Sequence, residues 1–363
     1  MVNLIELRRE LHALPELAYK ETATAKRLEQ LLSGAGYKVT AGLATTGLIA
    51  DLGSGPRIAI RADMDALPLN EFNQVTYCSK TAGVMHACGH DVHMACVIGS
   101  ALQLAESGIN DGVRVVMQPA EELSDEGERG SQKMVEQGAM QDVSAILGMH
   151  VDATMPSGRV GIIVQPAQGL VFSFEIANHS DCSLDFVRTG GRLIDSIYEI
   201  SEEIHGLRGH LDLTELRCTS GATNKGLVVR GNISYPGVDV AEKSMELLNQ
   251  AAAKVLGENL FTITREQDED LLARQEQVTQ TLYESACAIL GEENVARVTR
   301  KTWVGNFADF TKVAPGGFLL LGAALRNDRR IQHTANFDID EAALPIGAAV
   351  MTETVKRLLD AQK

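Results

Sequence analysis

Apolar residues recur along this chain with two periods, one helical and one extended. Leu4, Leu7, Leu11 and Leu14 keep helical spacing until Pro15 interrupts them. Ala25, Leu28, Leu31 and Leu32 mark one face of a second helix over 22–32, which Gly34 and Gly36 close. Strands are expected over 37–40 and 47–52, and Ile58 and Ile60 belong to a buried strand. An apolar helix over 92–106, a short apolar strand over 113–117, a helix over 130–137 and a strand over 144–149 follow. One more strand, 318–321, and an amphipathic helix, 340–359, close the chain. Alternating strands and helices predict an α/β fold, a mostly parallel mixed sheet flanked by helices.

Between these parts the texture changes. The pattern predicts a strand over 171–178, a helix over 191–205, strands over 211–218 and 226–234, a helix over 240–256 and a strand over 260–265. This β-α-β-β-α-β order is that of a ferredoxin-like α+β unit. A chain of 363 residues exceeds what one core comfortably serves. An inserted domain at 171–266 is therefore expected, with 1–170 and 267–363 joined into one discontinuous domain.

Charge and cysteine usage narrow the setting. The net charge of −15 argues against nucleic acid, which needs a basic face, and against anionic membrane surfaces. The N-terminus lacks the basic-then-apolar order of a signal peptide, and no run reaches the roughly 18 apolar residues of a membrane helix. Six irregularly spaced cysteines read as reduced thiols, so a cytoplasmic protein is expected.

Chemistry-bearing residues gather where strands end. Residues 85–93 read M-H-A-C-G-H-D-V-H, and an extended segment would point Cys88 and His90 to one side. Sulfur with imidazole suits zinc or a neighbouring divalent metal. Asp63 and Asp65 stand at the C-terminal end of the Ile58–Ile60 strand, where ligands bind in open α/β sheets. The strand over 113–117 delivers Q-P-A-E-E, with Glu121 and Glu122 adjacent. Such a pair can divide metal binding from proton transfer, and an acidic first helical turn explains it equally well. His150 follows the strand over 144–149, His333 sits in a late polar loop, and His12 reads as a hydrogen-bonded or surface histidine. Cys88, His90, Glu122, His150 and His333 exceed what one four-coordinate ion needs and suit two close ions.

In L-R-R-E-L-H-A-L-P-E-L, I-R-A-D-M-D-A-L-P, G-V-M-H-A-C-G-H-D-V-H, M-Q-P-A-E-E, G-M-H and H-T-A-N-F-D-I-D-E, the chain resembles the aminoacylase and carboxypeptidase superfamily of two-metal amidohydrolases. The matching branch holds hippurate hydrolases, indole-acetyl-amino-acid hydrolases and N-acetyl-diaminopimelate deacetylases. The resemblance implies that Cys88, His90, Glu122, His150 and His333 hold two divalent ions (zinc, manganese, cobalt or nickel) and that Glu121 is the general base. Asp63 and Asp65 would orient those ligands. The implied reaction is hydrolysis of the amide of a small N-acyl amino acid or related compound by a metal-activated water. Cleavage of short peptides, and metal or ligand binding without catalysis, are the alternatives. The inserted domain would act as a lid and dimerisation element in a homodimer. That domain departs from the family pattern. In place of G-G-H-x-x-x-P-H stands A-N-H-S-D-C-S-L-D-F, leaving His179 as the nearest candidate substrate contact, with Asn224 as the second. Ser234 occupies the place of a carboxylate-gripping arginine, which implies an altered substrate or a different cationic partner such as Arg188, Arg192, Lys225 or Arg230. Ala308-Asp309-Phe310 replaces a Glu-Asp-Phe triplet.

Overall fold

The computed structural model describes residues 2–122, 129–163, 168–177, 186–207, 210–220, 225–235, 238–257, 261–268, 276–298, 306–325 and 330–363. The chain opens with α1 (Leu4–Ala13) and α2 (Thr22–Gly34). Asn3 starts α1 by accepting from the Ile5 and Glu6 amides. The helix ends at Ala13, so Leu14 is half exposed and not on the buried stripe its spacing suggests. Next come β1 (Lys38–Leu43), β2 (Gly47–Leu52), β3 (Ser54–Asp63), α3 (His90–Glu106), β4 (Asp111–Gln118), α4 (Gly130–Glu136), β5 (Val143–Pro156) and β6 (Val160–Ile163). A second group contains β7 (Gln168–Ala177), α5 (Phe186–Gly206), β8 (His210–Ser220), β9 (Lys225–Tyr235), α6 (Val238–Leu256) and β10 (Thr262–Asp268). The chain then returns through α7 (Glu276–Leu290), β11 (Val295–Val298), α8 (Phe307–Thr311), β12 (Gly316–Ala324) and α9 (Ala343–Asp360).

Two compact units result. The first holds the elements up to β6 and from α7 to the C-terminus. Its eight strands lie in the order β1-β2-β4-β3-β5-β12-β6-β11. The four central strands β4, β3, β5 and β12 are parallel, which requires crossover helices and buries both faces. Thus Ile58, Ile60, Val115, Leu147 and Leu319 are fully buried. Helix α3 packs between β3 and the helices α1 and α9. Buried residues run without a break from its start to Ala101, so over that stretch it has no solvent-facing stripe. Gly99 permits this packing, because a Cβ there would lie 2.8 Å from Leu4 Cδ1 and 3.0 Å from Ala348 Cβ.

The second unit is a four-stranded antiparallel sheet, β10-β7-β9-β8, packed with α5 and α6. Its separate core includes Leu193, Ile197, Leu227, Val229, Ile233 and Leu248. No helix of the described residues is long and apolar enough to cross a membrane.

Candidate metal centre

Asp63, Asp65, Glu121, Glu122 and His90 are delivered by β-strand ends or a helix start of the first unit. β3 ends on Asp63 and β4 on Gln118, so Asp65 and the run Pro119–Glu122 follow the C-terminal ends of neighbouring parallel strands. His150 lies inside β5, opposite Leu320 of β12, because β5 runs on to Pro156 and does not stop at Met149. Cys88 and His90 are not on an extended segment. Gly89 is left-handed (φ 97°), His90 opens α3, and a Cβ at Gly89 would lie 2.4 Å from Val151 Cγ1. A side chain there would need both a disfavoured backbone and displacement of β5.

Hydrogen bonds decide which imidazole nitrogens are lone-pair donors. His90 Nδ1–H donates to the Asp65 main-chain oxygen at 2.7 Å, which leaves Nε2, buried and without a hydrogen bond, as the nitrogen a metal would meet. His150 Nδ1–H donates to Val151 O at 2.7 Å, and its Nε2 lies 3.4 Å from Cys88 Sγ. Glu122 Oε1 is 3.9 Å from His90 Nε2 and 3.3 Å from His333 Nε2, yet accepts no hydrogen bond. Ligand atoms of Cys88, Glu122 and His333 lie within 4.8 Å of one another, as do those of His90, Glu121 and Glu122. Glu122 belongs to both sets. Asp63, His90 and His93 form a third.

These donors fit divalent cations. Two buried atoms, His90 Nε2 and Glu122 Oε1, lie 3.9 Å apart and neither makes a hydrogen bond. Thiol, imidazole and carboxylate together form the mixed set that borderline divalent metals accept. Burial pushes the Cys88 thiol up and lowers the His150 imidazole to about 3, so His150 is neutral, as a ligand must be. Burial likewise opposes charge on Glu122, but the His333 and His90 imidazoles hold it below the ordinary carboxylate range. At its neighbour Glu121, burial outweighs the pull of His90 and raises the carboxyl to about 7.

Surrounding groups fix these side chains. Asp65 accepts from the Glu121 amide (Oδ1, 2.8 Å) and the Glu122 amide (Oδ2, 2.9 Å). Asn306, at the start of α8, donates its backbone N–H to Glu121 Oε1 at 3.2 Å and its side-chain amide to Glu121 O at 2.6 Å. Ala120 precedes the pair in the left-handed region (φ 48°), at a cost of about 1–2 kcal/mol. Its amide donates to Glu21 Oε1 at 2.9 Å. Asp63 accepts from His93 Nδ1–H at 2.6 Å and from Arg61 Nη1 at 2.6 Å, while His93 Nε2 accepts from the Val151 amide at 2.9 Å. Burial disfavours the Asp63 carboxylate, but Arg61 and then His90 hold it well below its usual range.

His12 is buried, with Nδ1 2.8 Å from Asp91 Oδ2 and Nε2 3.2 Å from Glu71 Oε1. Arg8, also fully buried, donates to Asp91, Asp338 and Glu341. Asp309 of the departing triplet accepts from Ser131 Oγ at 2.6 Å, joining α8 to α4. Arg188 and Arg192 are exposed on α5. Ser234 is in β9, opposite Gly169 and His210. His179 and Asn224 lie outside the described residues, as do the side chains of Lys225 and Arg230. Glu21 and Asn306 carry no motif signal, and Arg8 lies in the L-R-R-E-L-H stretch, which does not show its partners. His93 sits inside the densest motif, but only its bond to Asp63 shows what it does.

Comparison with known proteins agrees with this geometry. The family model described as peptidase family M20/M25/M40 matches residues 59–357. The chain is 29% identical to thermostable carboxypeptidase 2 of Saccharolobus solfataricus, over 95% of this chain and 92% of that protein. It is 28% identical to IAA-amino acid hydrolase ILR1-like 6 of Arabidopsis thaliana, over 98% and 80%. The crystal structure of the Bacillus subtilis YXEP protein, described as a dinuclear metal-binding peptidase from the M20 family, superimposes with a TM-score of 0.75 at 27% identity, covering 98% of each chain. With a family match spanning β3 to α9, this chain belongs to peptidase family M20/M25/M40 and is a metal-dependent hydrolase of amide bonds.

Proposed function

We propose that this protein hydrolyses the amide bond of small N-acyl amino acids, with Glu121 as general base and with Cys88, His90, Glu122, His150 and His333 holding two divalent ions. The observation that carries this reading is the division between adjacent carboxyls. Glu122 is held ionised between two imidazoles, whereas Glu121, half-buried like it, has its carboxyl raised to about 7. A base poised near neutrality both takes and returns a proton, the property amide hydrolysis requires. When bound, two divalent ions would polarise the amide carbonyl and acidify water. Glu121 accepts a proton from the attacking water, and the Asn306 N–H on Oε1 leaves Oε2 to carry it. The same carboxyl then delivers that proton to the departing nitrogen, so amide and water become carboxylic acid and amine. Asp65 keeps both glutamate amides in register during this exchange.

The name of the Arabidopsis relative supports an N-acyl amino acid substrate, and that of the Saccharolobus relative raises peptides as the competing class. Mixed sulfur, nitrogen and oxygen ligands accept zinc, manganese, cobalt or nickel. Free thiols at Cys78, Cys88, Cys96 and Cys287 support a reducing, cytoplasmic setting. The test is a panel of N-acetyl and N-benzoyl amino acids beside dipeptides, run on metal-loaded protein, on chelator-treated protein and on Glu121→Gln. The expected result is turnover of N-acyl amino acids that chelation abolishes and metal restores, with Glu121→Gln slowed by about two to four orders of magnitude. Dipeptide cleavage without N-acyl turnover would move the substrate to peptides. Full activity in Glu121→Gln would remove it as the base.

A further inference from the structure

Glu21 stands where a helix start uses its side chain, yet it does not serve its own helix. It occupies the N-cap position of α2 and makes no cap hydrogen bond. The first-turn amides of α2 are taken by Glu16, whose Oε1 accepts from Ala23 N at 3.1 Å and Oε2 from Thr24 N at 2.8 Å. Glu21 turns inward instead, fully buried, and no cationic side chain hydrogen-bonds to it among the described residues. Its Oε2 accepts from Thr46 Oγ1 at 2.5 Å, and its Oε1 accepts from the Ala120 amide at 2.9 Å. Burying an unneutralised carboxylate is costly, so its partners matter.

Ala120 is the left-handed residue immediately before Glu121 and Glu122. Three successive amides, of residues 120, 121 and 122, are thus held by two buried carboxylates, Glu21 taking the first and Asp65 the next two. Such a run of amides forms a concavity that anions stabilise. Without Glu21, the Ala120 N–H has no other acceptor among the described hydrogen bonds, and the residue is held only on its C-terminal side, by the Gly130 amide on Ala120 O (3.2 Å) and by Asp65 on the Glu121 amide. Ala120 would then relax toward the right-handed or extended region that alanine prefers, rotating the Glu121 backbone.

We propose that Glu21 is a positioning residue for amide hydrolysis: its carboxylate holds the left-handed Ala120 peptide and so aims Glu121. This rests on Glu121 being the base. The test compares Glu21→Ala, Glu21→Asp and Glu21→Gln with Glu121→Gln, measuring kcat, KM and bound metal per folded chain. Glutamine keeps the reach, since its amide oxygen accepts from Ala120 while its N–H donates to Thr46 Oγ1. Aspartate keeps the charge but is one methylene short. The expected result is kcat lowered about 100-fold in Glu21→Ala and Glu21→Asp, a scale that small misplacement of a reacting group produces. KM should change by less than about threefold, since a group acting on the transition state alone leaves binding intact. Metal content should match the parent, and Glu21→Gln should restore kcat to within about fivefold, because reach and not charge is what counts. Should Glu21→Ala not fold, the aspartate and glutamine variants still separate reach from charge. A parental kcat per folded chain in Glu21→Asp overturns the proposal, as does an active Glu21→Asp beside an inactive Glu21→Gln. Retained activity in Glu121→Gln would instead fail the base assignment on which the proposal stands.

Discussion

Asp65 shows how much of this centre hangs on single side chains. One carboxylate holds the amides of Glu121 and Glu122, and the carbonyl of the same residue fixes the protonated nitrogen of His90. Asparagine in its place keeps the shape but presents an N–H to one of two amide donors. One of those hydrogen bonds must then be lost in a buried site. Asp65→Asn is expected to lower metal affinity or kcat by about 10–100-fold, the range for groups that orient ligands. Metal titration beside steady-state kinetics measures it, and parental values for both would show that the amides need no acceptor. Asp63 and Asp65 were legible as chemistry because they close a buried strand. Their division of labour was not legible. Asp63 serves His93 and Arg61 because it still belongs to β3, whereas Asp65, two residues beyond, reaches the loop after β4. Cys88 and His90 were legible from composition, but the chain brings them in by a left-handed turn at Gly89 and not by an extended segment. Residue spacing alone does not distinguish the two.

At the level of elements, hydrophobic periodicity located most helices and central strands, because their burial leaves a local imprint. The strands β6 and β11, four residues each, are too short to show a period. The interior of α1 leaves no such imprint. Arg8 and His12 read as polar positions on an amphipathic helix, yet both are buried against α3. Their partners lie far along the chain: Asp91 follows His90, and Asp338 follows His333 by five residues. The network therefore ties α1 to two of the segments that carry candidate ligands, those of His90 and His333. His12 faces Asp91, Glu71, Arg8, Tyr77 and His86. Burial disfavours its charged form, but Asp91 and then Glu71 outweigh that and raise its pKa above the histidine norm. A raised folded-state pKa means that the stabilisation is complete below the unfolded value of about 6.5 and is lost as pH climbs through the folded value. Between those two values stability falls by up to about 1.4 kcal/mol per pH unit. His12→Gln should lack this component, so urea unfolding of the two proteins should converge as pH rises from 6 toward 9, at most about that steeply. A stability difference independent of pH would show that His12 stays neutral in the folded chain.

At the scale of the whole molecule, the first unit was readable because strand ends, motifs and the parallel order reinforce one another. The second was readable only as an alternation of elements, since a ferredoxin-like sheet carries no chemistry in its pattern. Its strand order explains what it offers beyond packing. β10-β7-β9-β8 leaves β8 with one partner, β9, over the eleven residues His210–Ser220. A long edge strand with unpaired amides is a template for pairing with another chain. We infer that two copies join β8 to β8 in antiparallel fashion, an isologous contact that closes on itself. The register of β8 on β9 slips between Leu213 and Glu215, so Thr214 has no residue of its own opposite it in β9. Proline at Thr214 should therefore spare the β8–β9 pairing while removing a donor and adding bulk at the edge. Light scattering is expected to give twice the 39.1 kDa chain mass for the parent protein and the single-chain mass for Thr214→Pro, with circular dichroism unchanged. A monomeric parent at all concentrations would refute the dimer. A dimeric, folded Thr214→Pro would move the contact away from β8.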